Sequence, residues 1–330
     1  MALKVGIVGC GFMGRMHANV YQILEDAELV ACVDHKPDRG TAFAGDFGLK
    51  LYPTLEGMLA GEELDIVDVC LPTHRHAAAT IEALQAGKHV VCEKPMARSL
   101  AEADEMAAAA LASGKQLMIA HCIRFWPEYA YLKQAAVDGR YGKLLSVNLT
   151  RYGAFPSYSS DNWLADEEKA GGGVLDMHIH DTDFALYLLG TPDETVSYGT
   201  VDASGASHAF TTMRFGSAVA HLEGGWNLPK GAPFKMAFRA VFEKAVMIMD
   251  GGPLTVFEAT GDAIVPEFPK MSAAGGGNIS DLGGYYAELA YFVDRVKNGQ
   301  PVETVTPASS RESLRVCLAE VDEIKSRAGK

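Results

Sequence analysis

The segment that decides the fold lies at the start of the chain and reads Val5-Gly6-Ile7-Val8-Gly9-Cys10-Gly11-Phe12-Met13-Gly14. An apolar run, Leu3–Val8, predicts a strand. Apolar residues at helical spacing over Arg15–Leu24 predict a helix directly after it. A G-x-G-x-x-G turn between a strand and a helix is typical of dinucleotide-binding domains.

Each glycine of this turn has a separate physical task. Gly9 permits the tight turn, Gly11 lets a pyrophosphate approach the backbone, and Gly14 lets the helix pack against the strand. The free N–H groups and the dipole at the helix start favour a diphosphate. The cofactor contacts predicted at this turn are Gly9, Gly11, Phe12, Met13 and Gly14.

Asp34 lies 20 residues after Gly14, at the end of the second predicted strand. An acid at this position accepts hydrogen bonds from the adenosine ribose hydroxyls and repels a 2′-phosphate, so the sequence favours NAD over NADP. His35 and Lys36 follow directly and weaken that preference. A glycine-rich turn with an unrelated surface acid is the simpler alternative, but strand, turn, helix and acid are in register.

Short apolar runs alternate with amphipathic stretches up to residue 121. Such alternation predicts βαβ units in a doubly wound parallel sheet with helices on both faces, here a Rossmann domain over residues 1–121. The predicted strands are Leu3–Val8, Leu29–Val33, Ile66–Leu71, His89–Cys92 and Gln116–Ala120, and the further helices are Ala77–Ala86 and Leu100–Ala112.

Residues 122–330 follow a different pattern. A helix is predicted at Pro127–Asp138, one from about Gly172 to Leu189, and two near the end of the chain, Leu282–Lys297 and Pro307–Ser326. Successive strand-like runs with short connections predict an α+β domain with a large, mostly antiparallel, open-faced sheet. These runs are Leu144–Tyr152, Thr195–Asp202, His208–Phe215, Ala218–Trp226, Phe234–Val241 and Ala245–Met249. Gly275–Gly277 is the best candidate for a mobile loop.

Composition excludes several classes of protein. The net charge is −13, so the average field repels a nucleic-acid backbone. The apolar runs are shorter than a membrane span, and we expect no secretion signal. The six cysteines include no C-x-x-C pair, and four of them, Cys10, Cys32, Cys70 and Cys92, lie in strand-like runs. We therefore expect buried thiols in a reducing cytoplasm, and neither nucleic acid nor membrane as a partner.

Lys94 follows the predicted strand His89–Glu93 at its carboxyl end, where open α/β sheets bind ligands. A cation there can stabilise an alkoxide as hydride leaves the carbon. Position alone favours the simpler interpretation, an ordinary surface lysine.

A second candidate is the segment Gly171–Asp181, which carries three glycines, two acids and two histidines. Asp176 and His180 are four residues apart and share one face of the predicted helix, whereas His178 points elsewhere. Histidine transfers protons near neutral pH, and Asp176 can orient either a substrate hydroxyl or the imidazole.

Two histidine pairs, His74 with His76 and His178 with His180, have a spacing found in metal sites. Residues two apart on a helix do not face each other, and no second cluster completes a tetrahedral set. We therefore expect no metal.

Taken in order, these motifs resemble the Gfo/Idh/MocA family of oxidoreductases over essentially the whole chain. Glu93-Lys94-Pro95 is similar to the family's E-K-P motif, and Arg124-Phe125-Trp126-Pro127 to its R-F-x-P segment. Trp163 with Gly171–Gly173, Asp176 and His180 resembles the second-domain site. Tyr285-Tyr286-Ala287-Glu288 resembles the Y-x-x-E segment of a late helix.

The resemblance implies roles for single residues. Lys94 relays a proton and binds the reacting hydroxyl, Asp176 binds substrate hydroxyls, and His180 is the general acid/base. Glu93, Lys94, Arg124 and Trp163 are also placed near the cofactor. The substrate contacts are Lys94, Arg124, Tyr152, Asn162, Trp163, Asp176, His180 and Tyr285.

Three residues after the fourth strand, Leu71, Pro72 and Thr73, stand where family members contact the cofactor. The chain reads Leu-Pro-Thr where a T-P order is usual, which puts the contact of Thr73 in question. His76 matches a family histidine, for which we favour a hydrogen bond at a helix start.

Family members mostly act on sugars, inositols and their derivatives. A mixture of aromatic faces and polar edges suits such polyhydroxylated ligands. The chain gathers such residues at Tyr152, Phe155, Tyr158, Asp161, Asn162 and Trp163. For Phe155 and Tyr158 a place in a core or interface fits equally well. Arg124 holds a carboxylate or hydroxyl pair of the ligand, or a structural carboxylate.

We expect an NAD-dependent dehydrogenase acting on a secondary hydroxyl of a sugar or of an inositol-like cyclic polyol. The alternatives are a catalytically silent NAD-binding sensor or regulatory protein, and a family reductase acting on a non-sugar substrate such as a dihydrodiol. The presence of Lys94, Asp176 and His180 favours catalysis. An open antiparallel sheet needs a cover, and the resemblance implies a homodimer or homotetramer through that sheet.

Overall fold

The computed structural model describes residues 1–156, 159–269 and 282–328, and only the backbone of Ser160. The chain divides into two compact units, each built from separate stretches. The described parts of Met1–Phe125, Tyr158–Asp161 and Lys270–Glu312 form the first unit. The described parts of Trp126–Ser157, Asn162–Pro269 and Ser313–Lys330 form the second. The sequence predicts a single boundary after residue 121, and that boundary stays a prediction.

The helices are given first, in chain order. They are α1 (Phe12–Tyr21), α2 (Pro37–Phe47), α3 (Leu55–Gly61), α4 (His76–Gln85), α5 (Leu100–Ser113), α6 (Pro127–Asp138), α7 (Glu167–Ala170), α8 (Ile179–Leu189), α9 (Gly283–Lys297) and α10 (Pro307–Arg327). Short 3₁₀ turns lie at Thr73–Arg75, Cys122–Phe125 and Ser160–Ala165, and a π-helical turn lies at Val174–His178.

A six-stranded parallel sheet forms the centre of the first unit. Its strands are β1 (Leu3–Val8), β2 (Ala27–Val33), β3 (Lys50–Tyr52), β4 (Ile66–Val69), β5 (His89–Glu93) and β6 (Leu117–Ala120). The order is β3-β2-β1-β4-β5-β6, and all neighbours are parallel. Every residue of β4 and β6 is buried, which explains why these strands do not alternate between polar and apolar residues.

Helix α9 completes the first unit from a distant part of the sequence. It packs against α1 and against the turn Cys122–Phe125. Two polar contacts join the same regions: Lys297 pairs with Asp26, and Arg124 donates to the carbonyl oxygen of Thr304 over 2.6 Å. The first unit, called the nucleotide unit below because it contains the glycine turn Gly9–Gly14, therefore depends on residues far beyond its sheet.

A seven-stranded sheet forms the second unit. Its strands are β7 (Leu144–Ala154), β8 (Glu194–Asp202), β9 (Gly205–Phe215), β10 (Ala218–Leu228), β11 (Lys235–Phe242), β12 (Ala245–Asp250) and β13 (Thr255–Glu258). The order is β13-β12-β11-β7-β10-β9-β8, with β7 and β10 parallel and the other neighbours antiparallel.

The two faces of this sheet differ in burial. In β9, Thr211 and Met213 are buried and alternate with the exposed Phe210, Thr212 and Arg214. Helix α8 packs on the sheet at β7 and β10, and the ion pair of Arg151 with Asp181 (3.1 Å) joins β7 to α8. One face is therefore covered by helices of the unit, as expected for a half-buried antiparallel sheet.

The structure confirms the predicted fold class. The predicted strand Leu3–Val8 is β1 and the predicted helix Pro127–Asp138 is α6, and the other predicted elements are present with shifted ends. Among the described helices and strands, five were not predicted: α2, α3, α7, β3 and β13. The helix predicted from about Gly172 begins instead with the π-helical turn at Val174–His178, and Gly275–Gly277 lies outside the described residues.

Two further observations bear on the predictions from composition. No helix in the described part of the chain has both the length and the apolar character needed to cross a membrane. All six cysteines are buried and carry free thiols.

Candidate active site

The turn between β1 and α1 is shaped by its glycines. Gly9 has a φ of +107°, a conformation that L side chains rarely adopt. A Cβ on Gly14 would lie 2.0 Å from the carbonyl oxygen of Gly9, whereas a Cβ on Gly11 would meet no described atom within 4 Å. Gly11 therefore leaves open space at the start of α1, where backbone N–H groups can bind a diphosphate. The turn fits a dinucleotide.

Asp34 directly follows β2, and its carboxylate is fully buried. It accepts hydrogen bonds from the backbone N–H groups of Cys10 (3.0 Å) and Lys36 (2.8 Å), and Arg39 donates to both of its oxygens. Burial raises the pKa of Asp34, but Arg39 and the two backbone N–H groups bring that pKa below its ordinary value. Three other cofactor contacts were predicted in this region. Phe12 and Met13 are half-buried, and His35 is exposed.

The segment after β4 lies beside the glycine turn. Leu71 and Pro72 are partly exposed, and Thr73 is buried. His76 is buried at the start of α4, with Nδ1 2.8 Å from the carbonyl oxygen of Pro95 and Nε2 2.8 Å from that of Leu71. Burial lowers the pKa of His76. His76 thus links the residues that follow β4 to those that follow Lys94, and its contact with a cofactor stays a prediction.

Lys94 is partly exposed, although the residues around it at the carboxyl end of β5 are buried. Its side chain is half-buried, while Glu93, Pro95 and Met96 are buried. The backbone N–H of Lys94 donates to Oε2 of Glu93 over 3.1 Å. The carboxylate of Glu93 therefore points inward, and the protein holds it there by a second contact.

That contact belongs to an ionic cluster that the sequence analysis missed. His17 on α1 is fully buried, with Nδ1 2.8 Å from Asp68 of β4 and Nε2 3.1 Å from Glu93 of β5. Burial alone lowers the pKa of His17, but Asp68 and Cys70 raise it well above its ordinary value. The signal in the sequence that could have indicated this cluster was a histidine on the inner face of the first helix.

The atoms of His17, Asp68 and Cys70 lie within 4.8 Å of one another, a grouping that can hold a metal ion. A ring with carboxylates at both nitrogens keeps a proton on each of them. We therefore interpret the cluster as a buried salt-bridge network. It joins α1 to the carboxyl ends of β4 and β5, directly behind Lys94.

Arg124 and Tyr285 both lie in the first unit. Arg124 is buried and donates to the carbonyl oxygen of Thr304 and to Oγ of Ser309 (3.3 Å), so part of its role is structural. Tyr285 is half-buried on α9, with its ring centroid 6.3 Å from that of His17. Their contacts with a ligand stay predictions.

In the second unit, the glycines before the π-helical turn allow a close approach to the sheet. A Cβ on Gly172 would lie 2.5 Å from the carbonyl oxygen of Ala206, and one on Gly173 2.4 Å from that of Ser207. Gly224 of β10 faces the turn, because its Cβ would lie 2.6 Å from Nδ1 of His178. Packing therefore explains the glycine run.

The predicted acid/base residues are partly exposed members of this buried segment. Asp176 and His180 are half-buried, whereas Val174 and Leu175 are buried. His178 is also buried and points inward, with Nε2 3.2 Å from Oε1 of Glu320. The π-helical turn was not expected from the sequence, and such turns recur at functional sites.

The histidine pairs considered for a metal have other contacts. Both ring nitrogens of His76 lie against backbone carbonyls, and Nε2 of His178 faces Glu320. These contacts involve ring nitrogens that a metal would need.

Three aromatic side chains of the second unit, Phe155, Trp163 and Trp226, belong to one packed group. Trp163 and Met177 pack against a buried group that contains Trp226. Phe155 stacks edge-on against Trp226, with ring centroids 5.3 Å apart. Trp226 was not among the predicted site residues, because it ends a regular strand pattern. Tyr152 is half-buried on β7 and Asn162 is exposed, whereas Tyr158 lies outside the described residues.

Comparison with known families gives two matches along the chain. The model described as the oxidoreductase family with an NAD-binding Rossmann fold matches residues 3–121. The GFO/IDH/MocA C-terminal domain matches residues 129–248.

Two curated relatives are similar to this chain. D-apiose dehydrogenase of Paraburkholderia graminis is 34% identical over 188 residues, which cover 57% of this chain and 50% of the relative. Inositol 2-dehydrogenase of Rhizobium meliloti is 32% identical over 197 residues, which cover 60% and 57% respectively. The matched part of the chain thus spans about half the length of these relatives.

One solved structure, an oxidoreductase from Agrobacterium radiobacter in complex with NAD⁺, L-tartaric acid and magnesium, has a TM-score of 0.87. The match covers 98% of this chain and 97% of that one at 19% identity, and it shows a shared fold. With both family models matched in order, the chain belongs to the Gfo/Idh/MocA family of oxidoreductases.

Proposed function

We propose that this chain is an NAD-dependent dehydrogenase that oxidises a secondary hydroxyl of a sugar or of a cyclic polyol. The observation that carries the proposal is that Lys94, Asp176 and His180 are each partly exposed within segments that are otherwise largely buried. Catalytic groups need this combination, because the side chain must reach a ligand while its backbone is held rigidly.

The proposed roles follow from the chemistry of the three side chains. Bound NAD⁺ supplies the hydride acceptor. His180 takes the proton of the reacting hydroxyl, and the ammonium group of Lys94 stabilises the charge that develops on the oxygen. Asp176 accepts a hydrogen bond from a substrate hydroxyl and orients it. Lys94 belongs to the first unit and the other two residues to the second, so their joint action rests on the family resemblance.

A polyhydroxylated substrate is supported by two considerations. The curated relatives carry the names of an apiose and an inositol dehydrogenase, and both compounds present several hydroxyl groups. Phe155 is 36% exposed and packs against the buried Trp226, and Trp163 is partly exposed, so Phe155 and Trp163 offer apolar faces in the same unit as the polar Asp176. Such a mixture binds the C–H faces and the hydroxyl edges of a sugar together.

The test is a substrate panel followed by variants. Formation of NADH is measured with inositols, aldoses and glycosides, and then with Lys94→Ala and His180→Ala on the best substrate. We expect each substitution to lower kcat by about a hundredfold to ten-thousandfold. NADH affinity, measured by fluorescence titration, should change by less than about threefold, since neither change touches the glycine turn.

Lys88→Ala is the matched control, because Lys88 precedes the opposite end of the same strand, β5. It should leave both turnover and NADH affinity unchanged. Full turnover in Lys94→Ala or His180→Ala would remove the role assigned to that residue. Binding of NADH with no turnover on any panel member would favour the NAD-binding sensor, and activity on a dihydrodiol alone would favour the non-sugar reductase.

We also infer that the exposed face of the second-unit sheet is covered by another copy of the chain. Tyr198 (60% exposed) and Phe210 (43% exposed) are directly paired across β8 and β9, and Val219 on β10 is 38% exposed. Apolar side chains gathered on one sheet face are typical of a protein interface.

A further inference from the structure

The acid that should face the ribose is the least exposed group at its own site. The side chain of Asp34 is 0% exposed, whereas that of Arg39 is 26% exposed and that of Lys36 is 38% exposed. His35, beside them, is 53% exposed. Two cations, Arg39 and Lys36, therefore reach the surface at the end of β2, although the residue expected to define this site is an acid.

The hydrogen bonds of Asp34 explain this reversal. Arg39, in the first turn of α2, donates Nε to Oδ2 (2.7 Å) and Nη2 to Oδ1 (2.8 Å). The backbone N–H groups of Cys10 and Lys36 take one further position on each oxygen. A carboxylate has about four lone-pair sites, so these four donors leave none for a ribose hydroxyl.

The charges nearby are balanced before any ligand binds. Arg39 pairs with Asp34, and Lys36 pairs with Asp161, which belongs to the same unit. An added phosphate therefore meets two partly exposed cations whose partners are already in place. Guanidinium groups form charge-assisted hydrogen bonds with phosphate, and an arginine near this strand end is the general means by which such folds accommodate a 2′-phosphate.

We propose that Arg39 determines the dinucleotide preference of this chain by binding the 2′-phosphate of NADP together with Lys36, so that NADP(H) is accepted alongside NAD(H). Binding of NAD(H) then requires Arg39 to give up one of its bonds to Asp34. Repulsion between Asp34 and the 2′-phosphate, expected from the sequence, is offset by the guanidinium group on that carboxylate. The inference concerns the nucleotide unit alone and does not depend on the substrate.

The test compares the affinities of the full chain for NADH and NADPH by fluorescence titration. We expect the unchanged protein to bind the two within about tenfold of each other. Arg39→Gln should weaken NADPH binding by about tenfold or more, because a charge-assisted pair is lost. It should leave NADH binding unchanged or tighter, because Asp34 no longer has to exchange a bond with Arg39 for one with the ribose. Arg39→Lys keeps the charge without the planar fork of the guanidinium group. Its affinity for NADPH should lie between those of the unchanged protein and of Arg39→Gln.

Arg214→Gln is the matched control, because Arg214 is an exposed arginine of β9 paired with Asp193 (3.1 Å) in the other unit. It should leave both affinities unchanged. Equal weakening of NADH and NADPH by Arg39→Gln would overturn the proposal. So would an unchanged protein that binds NADPH more than about a hundredfold more weakly than NADH. Since the readout is affinity, these results are independent of whether any sugar is oxidised.

Discussion

At the scale of single residues, a buried cation holds the strand ends behind Lys94. His17 is enclosed between the carboxylates of Asp68 and Glu93. His17→Ala would leave two buried carboxylates without their shared counter-charge. Because breaking a buried pair on one side is strongly destabilising, we expect the free energy of unfolding to fall by about 3–5 kcal/mol. Urea unfolding followed by circular dichroism measures this loss.

The same variant has a distinctive dependence on pH. The pKa of His17 is raised, so its contribution is full below the ordinary value of 6.5 and declines as pH rises through the raised pKa. The pKa of Glu93 is lowered, chiefly because His17 outweighs burial, so its contribution is full above 4.5 and declines as pH falls. The difference between wild type and His17→Ala should therefore be largest between these values. A difference that grows toward alkaline pH would contradict a charged His17.

At the scale of elements, the π-helical turn carries Asp176 and leads directly into α8, which carries His180; glycines let the turn lie directly on the sheet. A Cβ at Gly173 would meet the carbonyl oxygen of Ser207 at 2.4 Å and the ring of Trp226 at 2.9 Å. Neither neighbour is a flexible side-chain end. We expect Gly173→Ala to cost about 1–3 kcal/mol of unfolding free energy and to lower kcat by displacing the turn.

A second glycine provides the control for that substitution. Gly45 lies on the exposed side of α2, where a Cβ would meet no described atom within 4 Å. Gly45→Ala should leave kcat unchanged and raise the unfolding free energy by about 0.5–1 kcal/mol, because alanine favours a helix. Thermal unfolding and turnover of both variants are compared. Equal changes in unfolding free energy and in kcat for Gly173→Ala and Gly45→Ala would show that close packing at Gly173 does not hold the turn in place.

The elements also show what sequence can and cannot predict here. Strands buried on both faces, such as β4 and β5, and the G-x-G-x-x-G turn leave strong local patterns, and they were predicted.

Helix α2 was missed because Gly40 and Gly45 lower its helical propensity, although Pro37 and Gly48 (φ +70°) fit its ends. The pairings of His17 with Glu93 and of Arg39 with Asp34 could not be predicted, since they depend on how separate elements pack.

At the scale of the whole molecule, the exposed sheet face predicts self-association. We expect light scattering after size exclusion to give a mass of at least twice the 35.3 kDa of one chain. Phe210→Asp should shift the protein toward the monomer, because burying an unpaired charge in an apolar interface is unfavourable.

The control for that prediction is Leu111→Asp, which changes a residue of α5, in the other unit, that is 86% exposed. It should leave the mass unchanged. A monomeric wild-type protein over the whole accessible concentration range would contradict the covered sheet. An equal shift in mass for Phe210→Asp and Leu111→Asp would contradict it as well.

The position of α9 has a consequence for how the molecule is made. All six strands of the nucleotide unit have been synthesised by residue 120, but the helix that packs on α1 is Gly283–Lys297. A growing chain on the ribosome must therefore carry an unfinished nucleotide unit while the entire seven-stranded sheet is still being translated. The second unit's strands are available for folding earlier than the last piece of the first. For the same reason, the nucleotide unit is not a module that can be excised by cutting the chain once.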